Sequence, residues 1–573
     1  MNFERIDWII LIVTLLVVIG YGLYRSTSGK NMEGYFLSDR QLPWWLVLLS
    51  IMGTQASAIT FLTAPGQAYT DGMRFIQYYF GLPLAMIIIC IFFLPYFHQL
   101  KLYTAYEFLE KRFDLRTRSL TSFLFLLSRG LSTGISIFAP SLVLHSMLGW
   151  DIYWTNIFMG GLLIIYTISG GAKAVAYTQQ LQFIIIYSAM FLAGYYAIQS
   201  LPDDIGFYDT MQIAGKTGKL NIITGGMSEH GFDWKDKYNI WSGLIGGLFL
   251  ALSYFGTDQS QVGRYLTSKN ITESRWSLLM NGMVKVPLQF LILLIGIFVY
   301  VYYIFFSGPV FFNHKTEQQI LKTKYANDYK KINNDFTVIQ NEKKSVAVLL
   351  TKATEQDHIS DIKKYRYQLK ELDKQSADVR KEVKTLIHEA IPGTDTNDTN
   401  YIFLRFVGDT LPNGLIGLII AIVFLSAWGS IAAALHALAS STMIDFHKRF
   451  NWTTSDAASD YKWSRFYTLA WGIFCVLVAQ FAYGLGNSLI EAVNILGSLF
   501  YGTILGIFLV ALMINYVKGK AVFYGALAAE AIVLVIFYMD IISFLWLNVI
   551  GAVSVMLFSV CIQMGIHHRK EYA

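Results

Sequence analysis

Four stretches of this chain hold polar residues in an apolar setting, and their types and spacing point to the handling of an ion and a solute. They are GTQASAIT at 53–60, YFGTDQSQVGRYL at 254–266 with Lys285 beyond it, SAWGSIAAALHALASSTMID at 426–445, and EAVN at 491–494. The first and third combine hydroxyls that can ligate a hard cation, small residues that let backbones approach, and a glycine that weakens helical pairing. Carbonyls freed where a membrane helix unwinds, together with hydroxyl oxygens, are a known way of holding a sodium ion at membrane depth. Lys285 makes a different demand, because an ammonium inside an apolar run needs a carboxylate, carbonyls or an anionic solute as its partner.

Enzyme chemistry is not expected. His388-Glu389 opens a zinc-protease pattern, but Pro392 stands where its second histidine should be. Neither a G-x-S-x-G nucleophile elbow nor paired catalytic carboxylates are expected in the apolar runs. Cys90, Cys475 and Cys561 lie far apart within such runs and suggest neither a disulfide framework nor a metal knuckle.

The elements that must position these residues follow from composition. Of 573 residues 54% are hydrophobic and 16% aromatic, and only 15% are charged, so a soluble domain of this length is excluded. Apolar runs near or above the length of a bilayer span recur about thirteen times, from Ile6–Leu23 to Ile542–Met564. Backbone hydrogen bonds in lipid must close within helices or barrels, and these runs lack the alternation of barrel strands. The expected class is therefore an all-α polytopic membrane protein. The first run is expected to be a retained helix, since Glu4 and Asp7 accompany Arg5 and no small-x-small cleavage site follows.

Basic residues mark alternate short connections, among them Arg25, Lys101, Lys111, Arg112, Arg264, Lys269, Lys448, Lys518 and Arg569, and the intervening ones hold almost none beyond Arg74. The bias predicts an N-terminus outside and a C-terminus in the cytoplasm of a multi-pass protein of the cell membrane. Two hydrophilic segments then fall outside. Residues 202–239 read as a solvated loop, and 308–400 as a Lys/Glu/Asp-rich insertion with Ile359, Ile362, Tyr365, Leu369 and Leu372 at helical spacing. The insertion is expected to form one or two amphipathic helices and offers a place for an extracytoplasmic protein partner. The bilayer is an obligatory partner, and nucleic acid is not one.

ASAITFLTAPG in the first core helix, GGAKAVAYTQQLQ at 170–182, GTDQSQVGRYLTSKN at 256–270, LHALASSTMIDF at 435–446 and FYGTILGIFL at 500–509 together resemble the sodium/solute symporter family, which carries glucose, sialic acid, iodide, proline, pantothenate and monocarboxylates. The resemblance covers nearly everything except 308–400. It implies a LeuT-like core of two inverted five-helix repeats, at 44–201 and 240–514, with the latter interrupted by 308–400 into 240–307 and 401–514. Residues 1–43 supply a preceding helix and loop, and 515–573 two trailing helices and a tail.

Carried over residue by residue, the resemblance places a sodium ion on the carbonyls of Gly53 and Ala56, facing Ser426, Gly429 and Ser430. Gly429 stands where relatives usually have a hydroxyl. Gln179 stands where many relatives have an aspartate supporting a second cation or proton coupling, which implies one sodium per cycle. Asp258, Gln259 and Arg264 match a family TDQ…R pattern and are expected to form an intracellular hydrogen-bonded or ionic network. Gln55, Tyr78, Tyr79, Lys285, His436 and Asn494 are the substrate-binding candidates, with Tyr254 and Phe255 at an inner aromatic gate. The expected function is sodium-coupled import of a small polar organic solute by alternating access, with a sialic-acid-like or monocarboxylate anion level with a sugar or polyol. The alternative is a solute sensor on a transporter core, its exterior insertion recruiting a partner.

Overall fold

The computed structural model describes residues 3–25, 32–229, 231–450, 457–482 and 488–571. Nearly all are helical, and the sheet among them is a two-residue antiparallel pair joining Met227–Ser228 to Gly231–Phe232. Nine helical stretches among the described residues are long and apolar enough to cross a membrane, and three shorter apolar helices accompany them. With Ala457–Ala479 these supply thirteen passes.

In chain order the principal helices are α1 (Arg5–Arg25), α2 (Trp44–Gln55), α3 (Ala58–Asp71), α4 (Leu82–Ile88), α5 (Leu115–Leu148), α6 (Ile152–Gln199), α7 (Gly247–Gly256), α8 (Gln259–Tyr265), α9 (Ile271–Phe305), α10 (Ala326–Glu355), α11 (Ile359–Ala390), α12 (Thr399–Thr410), α13 (Leu415–Ser441), α14 (Ala457–Ala479), α15 (Leu489–Met513), α16 (Gly519–Met539) and α17 (Phe544–Glu571). Two passes are discontinuous. One breaks between α2 and α3, the other between α7 and α8, where Asp258 caps the second half by accepting from Ser260 N–H at 2.7 Å. The stretch α6 is two helices, Ile152–Ile168 and Gly171–Gln199, meeting at a kink at Gly171, whose φ of 61° only glycine adopts at little cost, so the separate apolar runs expected here are separate passes.

The packing core is α13. It is apolar on all sides and buried along almost its whole length, enclosed by α1, α2, α3, α5, α6 and α14. The pair α16 and α17 packs against α15 and lies outside this enclosure.

Within 308–400, α10 and α11 form an antiparallel hairpin that turns at Asp357, φ 55°. Ala347, Leu350, Leu369 and Leu372 line its seam, and Ile332, Phe336, Val383 and Ile387 continue it onto Val310 and Phe311 at its base. The hairpin is bolted to the membrane helices by charge. Asp373 accepts from Tyr300 Oη of α9 at 2.8 Å and pairs with Lys343 at 2.7 Å. Asp398 accepts from Phe312 N–H at 2.9 Å and pairs with Arg380 and, at 3.3 Å, with Lys384. Residues 202–239 carry a short helix, Phe207–Lys216, followed by Lys219, whose Nζ donates to the carbonyls of Tyr69 at 2.8 Å and Thr70 at 2.6 Å and so caps α3.

Candidate functional site

The break between α2 and α3 is built by its hydrogen bonds. Ala56 N–H still closes onto Met52 C=O, but Ser57 is extended, and its N–H turns back to Gln55 C=O at 3.0 Å. A continuing helix would have paired Ser57 N–H with Gly53 C=O. Thr60 N–H likewise goes to Ser57 C=O at 2.9 Å rather than to Ala56 C=O. The carbonyls of Gly53 and Ala56 are therefore among those that lose their helical partners, together with Thr54 C=O, which a continuing helix would have paired with Ala58 N–H. Across from them, α13 packs on both α2 and α3. Ser430 Oγ donates to Ser426 C=O at 2.9 Å, and Ser426 Oγ donates to Ile422 C=O at 2.8 Å. Each hydroxyl spends its proton on its own helix and keeps lone pairs for a cation. Ser430 shares a small cavity with Thr54, Gln55 and Ser57. Neutral carbonyl and hydroxyl oxygens of this kind suit a hard monovalent cation.

Gly429 contributes differently. Its carbonyl accepts from Gln179 Nε2 at 3.1 Å, while Gln179 Oε1 accepts from Ser50 Oγ at 2.9 Å. A Cβ on Gly429 would stand 2.7 Å from Gln182 Oε1, and one on Gly53 would stand 2.9 Å from Gln179 Cγ. Both glycines make room for the Gln179 amide, which joins α2 to α13 with a donor and an acceptor already spent.

A larger cavity, about 140 Å³ in volume, adjoins this region through Gln55, Ser57 and Tyr254. Gln55, Tyr78, Tyr79, Lys285, Asn494, Tyr254 and Phe255 all line it. Tyr78 Oη donates to Asn494 Oδ1 at 3.1 Å, and Gln55 Nε2 donates to Asn281 Oδ1 at 2.9 Å. Lys285 Nζ lies 5.6 Å from the centre of the Tyr79 ring, and no carboxylate among the described residues is within salt-bridge distance of it. Tyr254 packs on Phe255 and Tyr501 at 5.0 and 6.0 Å and accepts from Gln261 Nε2 at 2.8 Å.

The remaining predicted residues are not brought to this cavity. His436 lies beyond Ser430 along α13, against Tyr35, with Nε2 3.2 Å from Thr167 C=O of α6. Its ring is thereby directed towards α6 and away from the solute cavity. Asp258 and Arg264 do not pair. Asp258 accepts from Tyr501 Oη at 2.8 Å and faces Arg129 Nη1 at 3.8 Å, whereas Arg264 forms no ion pair among the described residues. Gln259 instead ties α8 to the loop before α5, donating to Tyr103 C=O at 2.8 Å and accepting from Ala105 N–H at 3.0 Å.

Arg129, Asn281 and Tyr501 escaped the sequence reading. Arg129 is a basic residue within the Leu120–Leu148 run, so the rule that singled out Lys285 applies to it equally. It lines the same cavity, 5.7 Å from the Tyr254 ring centre, and its Nε has no hydrogen-bond partner among the described residues. Contrary to expectation, one apolar run does hold the spacing of a nucleophile elbow: Gly130–Gly134 reads G-x-S-x-G. It lies inside α5, where Ser132 Oγ donates to Arg129 C=O at 3.2 Å, and not on the strand-to-helix turn such a nucleophile requires.

Comparison with known proteins places this geometry. The model of the "Sodium:solute symporter family" matches residues 35–329, just over half of the chain. The sodium/sialic acid symporter SiaT of Proteus mirabilis (strain HI4320) is 23% identical over 97% of this chain and 94% of its own length. The human sodium/iodide cotransporter is 28% identical over 49% of this chain, a match that spans 43% of that protein. The sodium/glucose cotransporter of Vibrio parahaemolyticus is 28% identical over 52% of this chain and 55% of its own length. A solved structure of a Na+-coupled sialic acid symporter in a substrate-bound outward-open state superposes with a TM-score of 0.74 at 22% identity, covering 98% of each chain. That likeness shows the LeuT-like fold. Nothing in these matches supports a solute sensor. The relatives are transporters rather than enzymes, sodium is their coupling ion, and this multi-pass membrane chain belongs to the sodium:solute symporter family.

Proposed function

We propose that this protein is a sodium-coupled symporter that imports a small organic anion, of the carboxylate or sialic-acid class, by alternating access. The observation that carries the choice of an anion is the lining of the central cavity, where Lys285 has no carboxylate partner among the described residues. A buried cation left without a counter-charge costs several kcal/mol or more, and a bound carboxylate would supply that counter-charge. Arg129 adds a second positive group on the facing wall. A sugar or polyol remains the second reading, supported by the neutral hydrogen-bonding pair of Tyr78 and Asn494.

In this reading sodium is taken from outside onto the carbonyls of Gly53 and Ala56 and the hydroxyls of Ser426 and Ser430. Ligation across the break fixes α2 and α3 against α13 and shapes the cavity wall at Gln55 and Ser57 for the solute. Sodium and solute each favour the same closed arrangement, a linkage of about 1–3 kcal/mol. Tyr254 and Phe255 then move aside to release the solute inward. The Gln179 amide already satisfies Ser50 and Gly429, so one sodium accompanies each solute. The basic connections support an external N-terminus and a cytoplasmic C-terminus, with the α10–α11 hairpin outside. The reading requires no protein partner for that hairpin.

The test is a thermal-shift screen of the purified protein against sialic acids, short carboxylates, sugars, polyols and amino acids, with and without sodium. An anion is expected to stabilise the protein only in sodium, and Ser430→Ala is expected to remove that dependence. Stabilisation by a neutral sugar, retained in Lys285→Ala, would replace the anion reading with the second one. Stabilisation by potassium or protons in place of sodium would overturn the coupling itself.

A further inference from the structure

Outside the transport core, α16 carries a carboxylate that the proposed cycle does not use. Glu530 lies in the middle of a helix otherwise made of apolar and small residues, and it is 8% exposed. It points inward with Ala526, Ala529 and Val533, the face of α16 that meets α15 and α17. Both of its carboxylate oxygens lack a hydrogen-bond partner among the described residues. The polar group beside it is the hydroxyl of Thr503 on α15, which also has no hydrogen-bond partner among the described residues.

Its surroundings contain no counter-charge. No charged or titratable side chain of α5, α15 or α17, the helices packed on α16, faces Glu530 among the described residues. On α15, Glu491 is committed to Lys237 and Tyr238 at the outer end, and Tyr501 to Asp258. On α5, Arg118 pairs with Asp445 and Glu110, and Arg129 faces Asp258. An ionised carboxylate in this position would be an unpaired buried charge, whereas a protonated one is a hydrogen-bond donor with an acceptor beside it.

We propose that Glu530 is a proton-binding site within the membrane, separate from the central cavity, which holds its proton in the folded protein by donating to Thr503 and so joins α16 to α15. The ligand is a proton, and loss of it loosens the contact between the trailing helices and α15. Because α15 also carries Asn494 and Tyr501 of the cavity, that contact supports the wall of the solute site. The inference stands on burial and on the absence of partners, and it does not depend on which solute is carried.

Dicyclohexylcarbodiimide, an apolar reagent that adds to protonated carboxyl groups to leave an N-acylurea, tests it on the full chain in detergent. Mass spectrometry of the peptide containing Glu530 is expected to show the adduct after treatment at about pH 6, with the yield falling at least tenfold by about pH 9. Glu530→Gln is expected to remove that adduct and to be at least as stable as the wild type at pH 6, while lacking the further loss of stability that the wild type shows between pH 6 and pH 9. The sign follows from the linkage: a group protonated in the fold but not in the unfolded chain loses stability as pH rises. Absence of the adduct at pH 6, with the same peptide reactive after unfolding, would overturn the proposal. Protection of Glu530 by sodium would also overturn it, since the occupant would then be the ion and not a proton. If Glu530→Gln does not fold, the pH-dependent adduct on the wild-type protein decides alone.

Discussion

The end of this molecule that carries the α10–α11 hairpin and the cavity beneath it treat charge in opposite ways. At the hairpin end three carboxylates are matched: Asp398 by Arg380 and Lys384, Asp373 by Lys343 and Tyr300, Glu491 by Lys237 and Tyr238. In the cavity Lys285 has no carboxylate within salt-bridge distance among the described residues, and Arg129 meets Asp258 only at 3.8 Å. The contrast separates two uses of buried charge. Matched charges fix helices to one another, and an unmatched one is a place where a ligand completes the structure.

The strongest way to break the comparison is at its matched end. Asp398→Asn leaves Arg380 buried with a neutral partner, and about 3–5 kcal/mol is expected to be lost from the hairpin. Hydrogen exchange along α11 measures this better than a global melt, because the hairpin can open by itself. The wild type makes the same change in acid. Burial pushes the Asp398 carboxyl up, but Arg380, Lys384 and the Phe312 N–H together hold it below the usual carboxylate range. Its contribution is therefore fully present above about pH 4 and is lost as pH falls through the depressed folded value.

The Gln179 amide is matched too, though without charge, and it tests whether the second cation's place is truly filled. Gln179→Leu strips both the donor to Gly429 and the acceptor of Ser50, and about 2–3 kcal/mol of stability is expected to go, independent of sodium. A sodium-dependent loss would instead mean that the amide takes part in ion binding. Gly429→Ala acts on the same place with less force. Its Cβ would press on Gln182 Oε1 at 2.7 Å, the end of a flexible side chain, and on Gln179 Cγ at 3.2 Å. About 1 kcal/mol is expected, read as a lower melting temperature, with sodium binding weakened only as far as α13 shifts.

How far these features were legible in the sequence depends on whether they were local. The break at 53–60 was legible because Gly, Thr, Gln and Ser interrupt one apolar run, whereas the choice of the Gly53 and Ala56 carbonyls came from the family resemblance. Lys285 was legible for the same reason, as a charge in the wrong medium. Arg129 obeys the same rule, as a basic residue within the apolar stretch of α5. The partners could not be read. Asp258 lies six residues from Arg264, yet one of its oxygens caps α8 and the other meets Tyr501 and Arg129, from α15 and α5. His436 sits among the polar residues of α13, but only the packing of that helix against Tyr35 and α6 decides that it faces away from the cavity.

The unmatched end of the comparison makes the smallest change in stability and the most telling one. Lys285→Met keeps the length and apolar stem of the side chain and deletes the ammonium. Were Lys285 matched like Asp398's partners, its loss would strand a carboxylate and cost several kcal/mol. No such carboxylate lies within salt-bridge distance among the described residues, so the substitution removes only a desolvated charge and its contact with the Tyr79 ring. Stability without ligand is expected to stay within about 1 kcal/mol of the wild type, or to rise. The same variant is expected to lose anion-dependent stabilisation while keeping the shift produced by sodium alone, because the proposed ligands of the ion lie on α2 and α13 and not on α9. A melting temperature that falls as far as that of Asp398→Asn would show that Lys285 holds the fold together, and the cavity's positive charge would then have no claim on a solute.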